Sequence, residues 1–291
     1  MDLLKAKTIS SLFWKFFERC GASLVQLLVQ IALARLLSPE YFGMLAIMLV
    51  FITLGNLLVQ SGLNTSLVQA EKTEEVDYST VFWISLALAG AIYIVIFFLA
   101  PHIAAFYASE ELLWPLRILS ILFVINAFNA VQIAIVQRRL EFKKLFFSTL
   151  GSVIVSGALG IILALYGFGL WSLVVQQLSY QLLNCILLAF QTKWFPKLLF
   201  SRKIAKKHYV FGWKLLASSA LNTVYESLSD LIIGKQFSTD ILGLVSQGKK
   251  YPMALSTILN GTIQAVMLST VSRIQNDKDR VKRLVRRALK T

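Results

Sequence analysis

Long apolar runs separated by short charged connections set the pattern of this chain. Eight runs stand out, at 11–37, 41–63, 79–100, 115–137, 146–166, 170–191, 209–234 and 242–272. Each approaches or exceeds the ~20 residues that a helix needs to cross a bilayer core. None alternates apolar and polar positions as a membrane strand of about ten residues would. The pattern therefore predicts an all-α integral membrane protein with eight transmembrane helices. The eighth run is the weakest, because Lys249 and Lys250 interrupt it early. In the first run, Ala32-Leu33-Ala34 has the small residues of a leader-cleavage site. Gln26 and Gln30 within that run, and Arg35 just after it, favour a retained first helix.

The connections repeat. Arg35-Leu36-Leu37-Ser38-Pro39-Glu40-Tyr41-Phe42-Gly43 closes the first run and opens the second. Two hundred positions later, Lys235-Gln236-Phe237-Ser238-Thr239-Asp240-Ile241-Leu242-Gly243 does the same. Trp14-Lys15 has its counterpart in Trp213-Lys214. Register, charge and turn chemistry agree, which predicts an internal duplication of the kind found in two-lobed transporters. The expected division is a complete six-helix N-terminal lobe over 1–191, a basic cytoplasmic linker over 192–208, and a partial C-terminal lobe over 209–291 with two helices and a basic tail. A second lobe of equal size would run to about residue 400. The chain is accordingly expected to be a C-terminally truncated fragment that does not transport by itself.

Charge changes the picture next. Hydrophobic residues make up 57% of the chain and charged residues 15%, against about 45–50% and about 25% in soluble domains. The net charge of +14 would suit nucleic acid, but the basic residues lie in short loops between apolar runs and form no soluble basic face. Placing the N-terminus in the cytoplasm puts every Lys and Arg there except Arg35, Arg117, Lys235, Lys249 and Lys250. The positive-inside rule supports that orientation, as expected of a multi-pass protein of the bacterial inner membrane. Lys203, Lys206 and Lys207 in the linker recur at about one helical turn, as in a helix resting on anionic lipid, or as a simple topology-setting cluster. Cys20 and Cys185 fall within apolar runs and read as packing residues.

Candidate chemistry lies in the polar positions of the runs. Lys15, Arg19, Ser23, Gln26 and Gln30 recur every three or four residues and fall within about 80° of one helix face. Such a face looks into protein or a water-filled cavity, or else the cations snorkel while the amides bond neighbouring helices. Asn56 and Gln60 are one turn apart in the second run, Asn126 and Asn129 sit in the fourth, and Gln177, Gln181 and Asn184 share a face of the sixth. Amides donate and accept, which suits hydroxyl-rich ligands such as sugars. Asn222, Glu226 and Asp230 are spaced by four in the seventh run. An acid near the bilayer centre costs about 2.5–3.5 kcal/mol, so Glu226 and Asp230 are expected either to couple transport to an ion or proton gradient or to find a cationic partner.

No metal-ligand cluster, phosphate-binding loop, dinucleotide fingerprint or nucleophile elbow is present. The histidines, His102 and His208, both lie near run ends. Neither catalytic residues nor cofactors are expected.

Several stretches carry a family resemblance: Ala34 to Gly43, Ser79-Thr80-Val81-Phe82-Trp83, Gln137-Arg138-Arg139-Leu140-Glu141-Phe142, Gly167-Phe168-Gly169-Leu170-Trp171-Ser172-Leu173, Phe211-Gly212-Trp213-Lys214, and Asp230-Leu231-Ile232-Ile233-Gly234-Lys235. In this order they resemble the polysaccharide transporters of the multidrug/oligosaccharidyl-lipid/polysaccharide exporter superfamily. The likeness is to the Wzx-type O-antigen and exopolysaccharide flippases, and within them to the colanic-acid-exporter-like branch. The resemblance implies two six-helix lobes around a central cavity with alternating access. It also implies an undecaprenyl-pyrophosphate-linked oligosaccharide as substrate, and association with polysaccharide polymerase machinery. On that reading Lys15, Arg19 and Lys214 bind the pyrophosphate, the amides line the path of the sugar, and membrane lipids hold the tail. The sequence departs from the family at Met267-Leu268-Ser269-Thr270, which lacks an expected proline, and in ending after the eighth run. The rival readings are a multidrug extruder of related fold, or a membrane glycosyltransferase or polymerase of the same pathway.

Overall fold

The apolar runs fold as helices, and their boundaries follow from local chemistry. The structure is a computed structural model that describes residues 2–60, 62–70 and 73–250, with 252, 253 and 256. Helix α1 (Asp2–Leu36) stops at the Leu37-Ser38 connection, and Pro39, whose fixed φ suits a first helical position, opens α2 (Pro39–Gln60). Gly62 takes a left-handed φ of 67° and starts the short α3 (Leu63–Gln69). A reciprocal cap begins α4 (Glu75–Phe106). The Glu74 side chain accepts from the Asp77 backbone, and the Asp77 carboxylate accepts from the Glu74 N–H at 2.8 Å. A single 3₁₀ turn (Glu110–Leu112) leads into α5 (Leu113–Leu119), then α6 (Leu122–Arg139), α7 (Phe142–Leu165) and α8 (Leu170–Thr192). Ser201 caps α9 (Arg202–Gln236), and helix resumes at 239–250, here called α10.

Among the described residues six spans are long and apolar enough to cross a membrane. They correspond to the first six predicted runs. The seventh, 209–234, lies within α9, which is helical as expected but is not among those six. The eighth, 242–272, is helical through residue 250 and then passes out of the described residues, as do Met267–Thr270 and the basic tail. Three boundaries differ from the sequence reading. The fourth run breaks into α5 and α6 at Ser120, whose hydroxyl donates to the Arg117 carbonyl at 2.7 Å. Helix α3 occupies a stretch read as loop. Helix α9 begins at Arg202, so Lys203, Lys206 and Lys207 open the seventh helix and form no separate one.

Packing centres on α7 and α8. Helix α1 lies along α7, and α8 packs on both α7 and α6. Small residues permit this closeness: a Cβ at Gly157 would overlap Val29 of α1, and one at Gly160 would press on Gln176 of α8. The core beneath is built from Leu33, Phe42, Leu45, Ile47, Met48, Phe123 and Leu173, all essentially sealed from solvent.

The ends of the bundle are distinct. At one end Tyr41, Glu110, Trp114 and the Gly167-Phe168-Gly169 loop line a single pocket. At the other, α3 and the α8–α9 connector gather against α4 and α6. Lys143 and Gly169 flank α7 and so stand at opposite ends.

Candidate functional site

Several polar contacts lie where α9 and α10 meet the first six spans. Helices α4 and α9 run side by side in the same direction and are joined near both ends. At one end His208 of α9 is buried between Ser66 Oγ (2.5 Å from Nδ1) and Asp77 Oδ1 (3.3 Å from Nε2). At the other end the Tyr107 hydroxyl donates to the Leu231 carbonyl at 3.5 Å, and Lys235 Nζ donates to the Phe106 carbonyl at 2.5 Å. The Ser66–His208–Asp77 chain has the residue types of a hydrolytic triad, but all three side chains are buried, with no open side for a substrate. It serves as a fastening of α9 to α3 and α4.

The α8–α9 connector strengthens that fastening. Trp194 Nε1 donates to Glu75 Oε1 at 2.9 Å, and Trp83 Nε1 donates to the Lys197 carbonyl at 2.9 Å. The backbone N–H of Ser201 donates to Thr80 Oγ1 at 3.1 Å. Arg138, from the end of α6, spreads one guanidinium nitrogen over the carbonyls of Leu67, Val68 and Ala70 at 2.7, 3.1 and 2.5 Å. It thereby satisfies acceptors that the end of α3 leaves open.

Across the bundle, α10 meets α1 and α2. Lys250 Nζ donates to Gln30 Oε1 at 3.2 Å and lies 5.7 Å from the Phe42 ring centroid. Lys249 forms an ion pair with Asp230 at 2.7 Å and also donates to Ser229 Oγ. At the N-terminal end of α2, Gly43 packs against the start of α10 without any intervening side chain.

The predicted residues are distributed as follows. Gln30 is buried, and its bond to Lys250 turns that face of α1 toward α10. Ser23, Gln26 and Arg19 share the face by helical spacing, with Gln26 and Arg19 exposed. Lys15, at the edge of the arc, turns toward α7, with Nζ 5.1 Å from the Phe142 ring centroid. Lys214 lies on α9, and its side chain is outside those described. Asn56 and Asn126 are brought together at 2.8 Å. Asn129 is buried, Gln60 is exposed, and Gln177 and Gln181 are half-buried. Asn184 is buried and accepts from Ser148 Oγ at 2.5 Å. Asp230 finds its cationic partner in Lys249, not in a cation of α1. Glu226 is exposed and accepts from Asn222 of its own helix at 3.1 Å.

Sequence reasoning missed His208, Asp77, Arg138 and two further amides, Gln132 and Gln176. The Oδ1 atoms of Asn126 and Asn129 and the Oε1 atoms of Gln132 and Gln176 are buried with no hydrogen-bond partner among the described residues. Asn126, Asn129 and Gln132 recur every three residues along α6, a spacing visible in the sequence. Acceptors of this kind suit hydroxyl or water donors.

A set of long apolar helices with polar faces turned inward defines a multi-pass membrane protein. The chain belongs to the polysaccharide biosynthesis protein family, whose profile matches residues 32–291. It is 25% identical over 280 residues to the succinoglycan biosynthesis transport protein ExoT of Rhizobium meliloti (strain 1021), a match covering 95% of this chain and 56% of that protein. It is 24% identical over 288 residues to the lipopolysaccharide biosynthesis protein WzxC of Escherichia coli (strain K12), covering 96% and 57%. An uncharacterized membrane protein in the cps region of Klebsiella pneumoniae is 22% identical over 282 residues. The chain thus spans a little over half the length of these relatives. No solved structure matches it.

Proposed function

We propose that this chain is part of a flippase that carries an undecaprenyl-pyrophosphate-linked oligosaccharide across the bacterial inner membrane for surface polysaccharide synthesis. The observation that carries the reading is the direction of the α1 stripe. Gln30 meets Lys250 of α10, which supports a reading in which the face bearing Arg19, Ser23 and Gln26 looks toward α10 and not toward lipid. A polar face between two helix groups suits a ligand with a charged head and a hydroxyl-rich body. The transport and polysaccharide roles named for the two relatives support the same reading. In this scheme residues 1–191 form one lobe, 192–208 the linker and 209–291 the opening of the second. Lys15, Arg19 and Lys214 attract the pyrophosphate near the cytoplasmic end, while the buried amides accept from sugar hydroxyls.

The test is reconstitution of the complete two-lobed protein in liposomes with a fluorescent undecaprenyl-pyrophosphate oligosaccharide, scoring the fraction reached by a membrane-impermeant quencher. Transport that exceeds protein-free vesicles and falls in Arg19→Ala at equal protein content is the expected result. Transport equal in Arg19→Ala and wild type would remove the cationic stripe from the mechanism, and no transport of any lipid-linked sugar by the protein would remove the reading.

A further inference from the structure

Between the C-terminal ends of α4 and α9 lies a crevice of about 500 Å³, within the range of about 300–1,000 Å³ typical of ligand sites. Its walls are almost wholly apolar, with Leu99 and Phe106 of α4 facing Leu231 and Ile232 of α9. The ammonium of Lys235, the imidazole of His102 and the amide of Gln236 break that surface. The lining residues Leu99, Phe106 and Ile232 are 43%, 54% and 55% exposed, so the crevice opens sideways from the bundle.

Lys235 is held in place by two contacts. Its Nζ donates to the Phe106 carbonyl and lies 4.2 Å from the Phe106 ring centroid. It takes part in none of the ion pairs among the described residues, and an ammonium has further N–H groups to donate. The other cations read as extracytoplasmic are mostly engaged. Arg117 stacks on Phe97 and Trp114, Lys249 pairs with Asp230, and Lys250 holds Gln30. Lys235 thus brings an unneutralised positive charge to the mouth of an apolar slot. The Tyr107 hydroxyl donates to the Leu231 carbonyl at 3.5 Å and ties the slot's two walls together.

We infer that this crevice binds a phosphate-headed lipid, with one apolar chain between α4 and α9 and the phosphate on Lys235 and His102. The charge and the apolar walls match the two ends of such a molecule. Two sources share this chemistry, an anionic phospholipid and a polyprenyl phosphate. The assignment rests on the flippase reading only for the second, which would make the crevice a seat for the polyprenyl chain that the transported lipid shares.

Native mass spectrometry of the purified protein tests this with three probes: phosphatidylglycerol, phosphatidylcholine and undecaprenyl phosphate. Anionic probes should bind more tightly than phosphatidylcholine. Lys235→Gln should weaken them roughly tenfold, the loss of one charge-assisted contact. Ile232→Trp, which fills the slot, should weaken all three, while Lys193→Gln, a control on the opposite end, should change none. Preference for undecaprenyl phosphate over phosphatidylglycerol assigns the site to a polyprenyl carrier chain, and the reverse assigns it to a resident phospholipid. Equal binding of all three by wild type, or wild-type affinities in both Lys235→Gln and Ile232→Trp, overturns the inference. Vesicle transport by the two-lobed protein carrying the same variants separates the two readings. Transport with unselective lipid binding removes the crevice alone, and selective binding without transport removes the flippase alone.

Discussion

Gly43 and Gly243 lie back to back, each against the other's helix. A Cβ on Gly43 would overlap the Thr239 carbonyl, and a Cβ on Gly243 would overlap the Pro39 carbonyl. Each added carbon would also come within 3.1 Å of the opposing glycine's backbone nitrogen. The contact is reciprocal, and both partner pairs, 39 with 239 and 43 with 243, stand two hundred positions apart. This is how an approximate two-fold axis between duplicated segments would look.

Gly43→Ala and Gly243→Ala should each lower stability by about 1–3 kcal/mol, the usual range for overpacking. The double variant should cost less than the two together, because the first methyl already separates the helices. Thermal unfolding in detergent measures both effects. Full additivity would mean that the two glycines do not share one contact.

The His208 fastening predicts a coupling. His208→Ala and Asp77→Ala should show an interaction energy of about 0.5–3 kcal/mol in a double-mutant cycle. Asp77→Ala alone should cost more than that coupling, since Asp77 also caps α4 through the Glu74 N–H. A cycle that closes to zero would make the histidine a bystander.

Arg138→Ala should expose the turn after α3. Three carbonyls lose their donor, at a cost of about 1–3 kcal/mol. Limited proteolysis should cut faster in the 61–74 region, and Arg138→Lys should restore part of the protection, because its ammonium keeps the charge and the N–H donors on a differently shaped side chain. Equal cutting rates in all three proteins would contradict the clamp.

The Asp230–Lys249 pair separates structure from function. It is partly exposed, so Asp230→Asn should cost no more than about 1 kcal/mol of stability. If Asp230 couples transport to a gradient, the same variant should lose gradient-driven accumulation while keeping substrate binding. Unchanged gradient dependence leaves the pair a local tie.

Orientation can be read by cysteine labelling at Lys143 and Phe168, both exposed and at opposite ends of α7. Phe168 is the better outer probe than its neighbour, because Gly169 has a φ of 50° and a Cβ there would sit 2.8 Å from the Tyr41 ring. Phe168→Cys should react with an impermeant reagent added outside intact cells and Lys143→Cys should not. The reverse pattern inverts the topology.

What the sequence made legible was whatever a continuous apolar run encodes. The first six spans, the Ser38-Pro39 stop-and-start and the polar positions of the second and fourth runs were visible because each depends on local spacing, but the meeting of Asn56 with Asn126 was not. Helix α3 was not, since seven residues with Asn64, Thr65 and Ser66 carry no apolar period. The break at Ser120 hid within unbroken hydrophobicity. The fastenings were invisible for a different reason. His208 meets Asp77 across 131 positions and Arg138 meets Leu67 across 71, and no single-sequence pattern links residues so far apart. Arg138's partners are also backbone carbonyls, which carry no side-chain signal. The stripe of α1 was legible as a face, but only the Gln30–Lys250 bond gives that face a direction.

Helices α4 and α9 resemble two rails bolted together near each end. From Asp77 to Phe106 and from His208 to Lys235 the two rails differ by only two residues, about 3 Å of rise. Between the bolts the outer surface of α9 is open, with Leu221 and Tyr225 more than three-quarters exposed. A rod held this way cannot slide along its neighbour and cannot swing while both bolts hold. It can only pivot about one after releasing the other. Any rocking of the second helix group against the first therefore has a built-in order: one end opens while the other stays shut. A structure that opened both at once would have to break His208 and Lys235 free together.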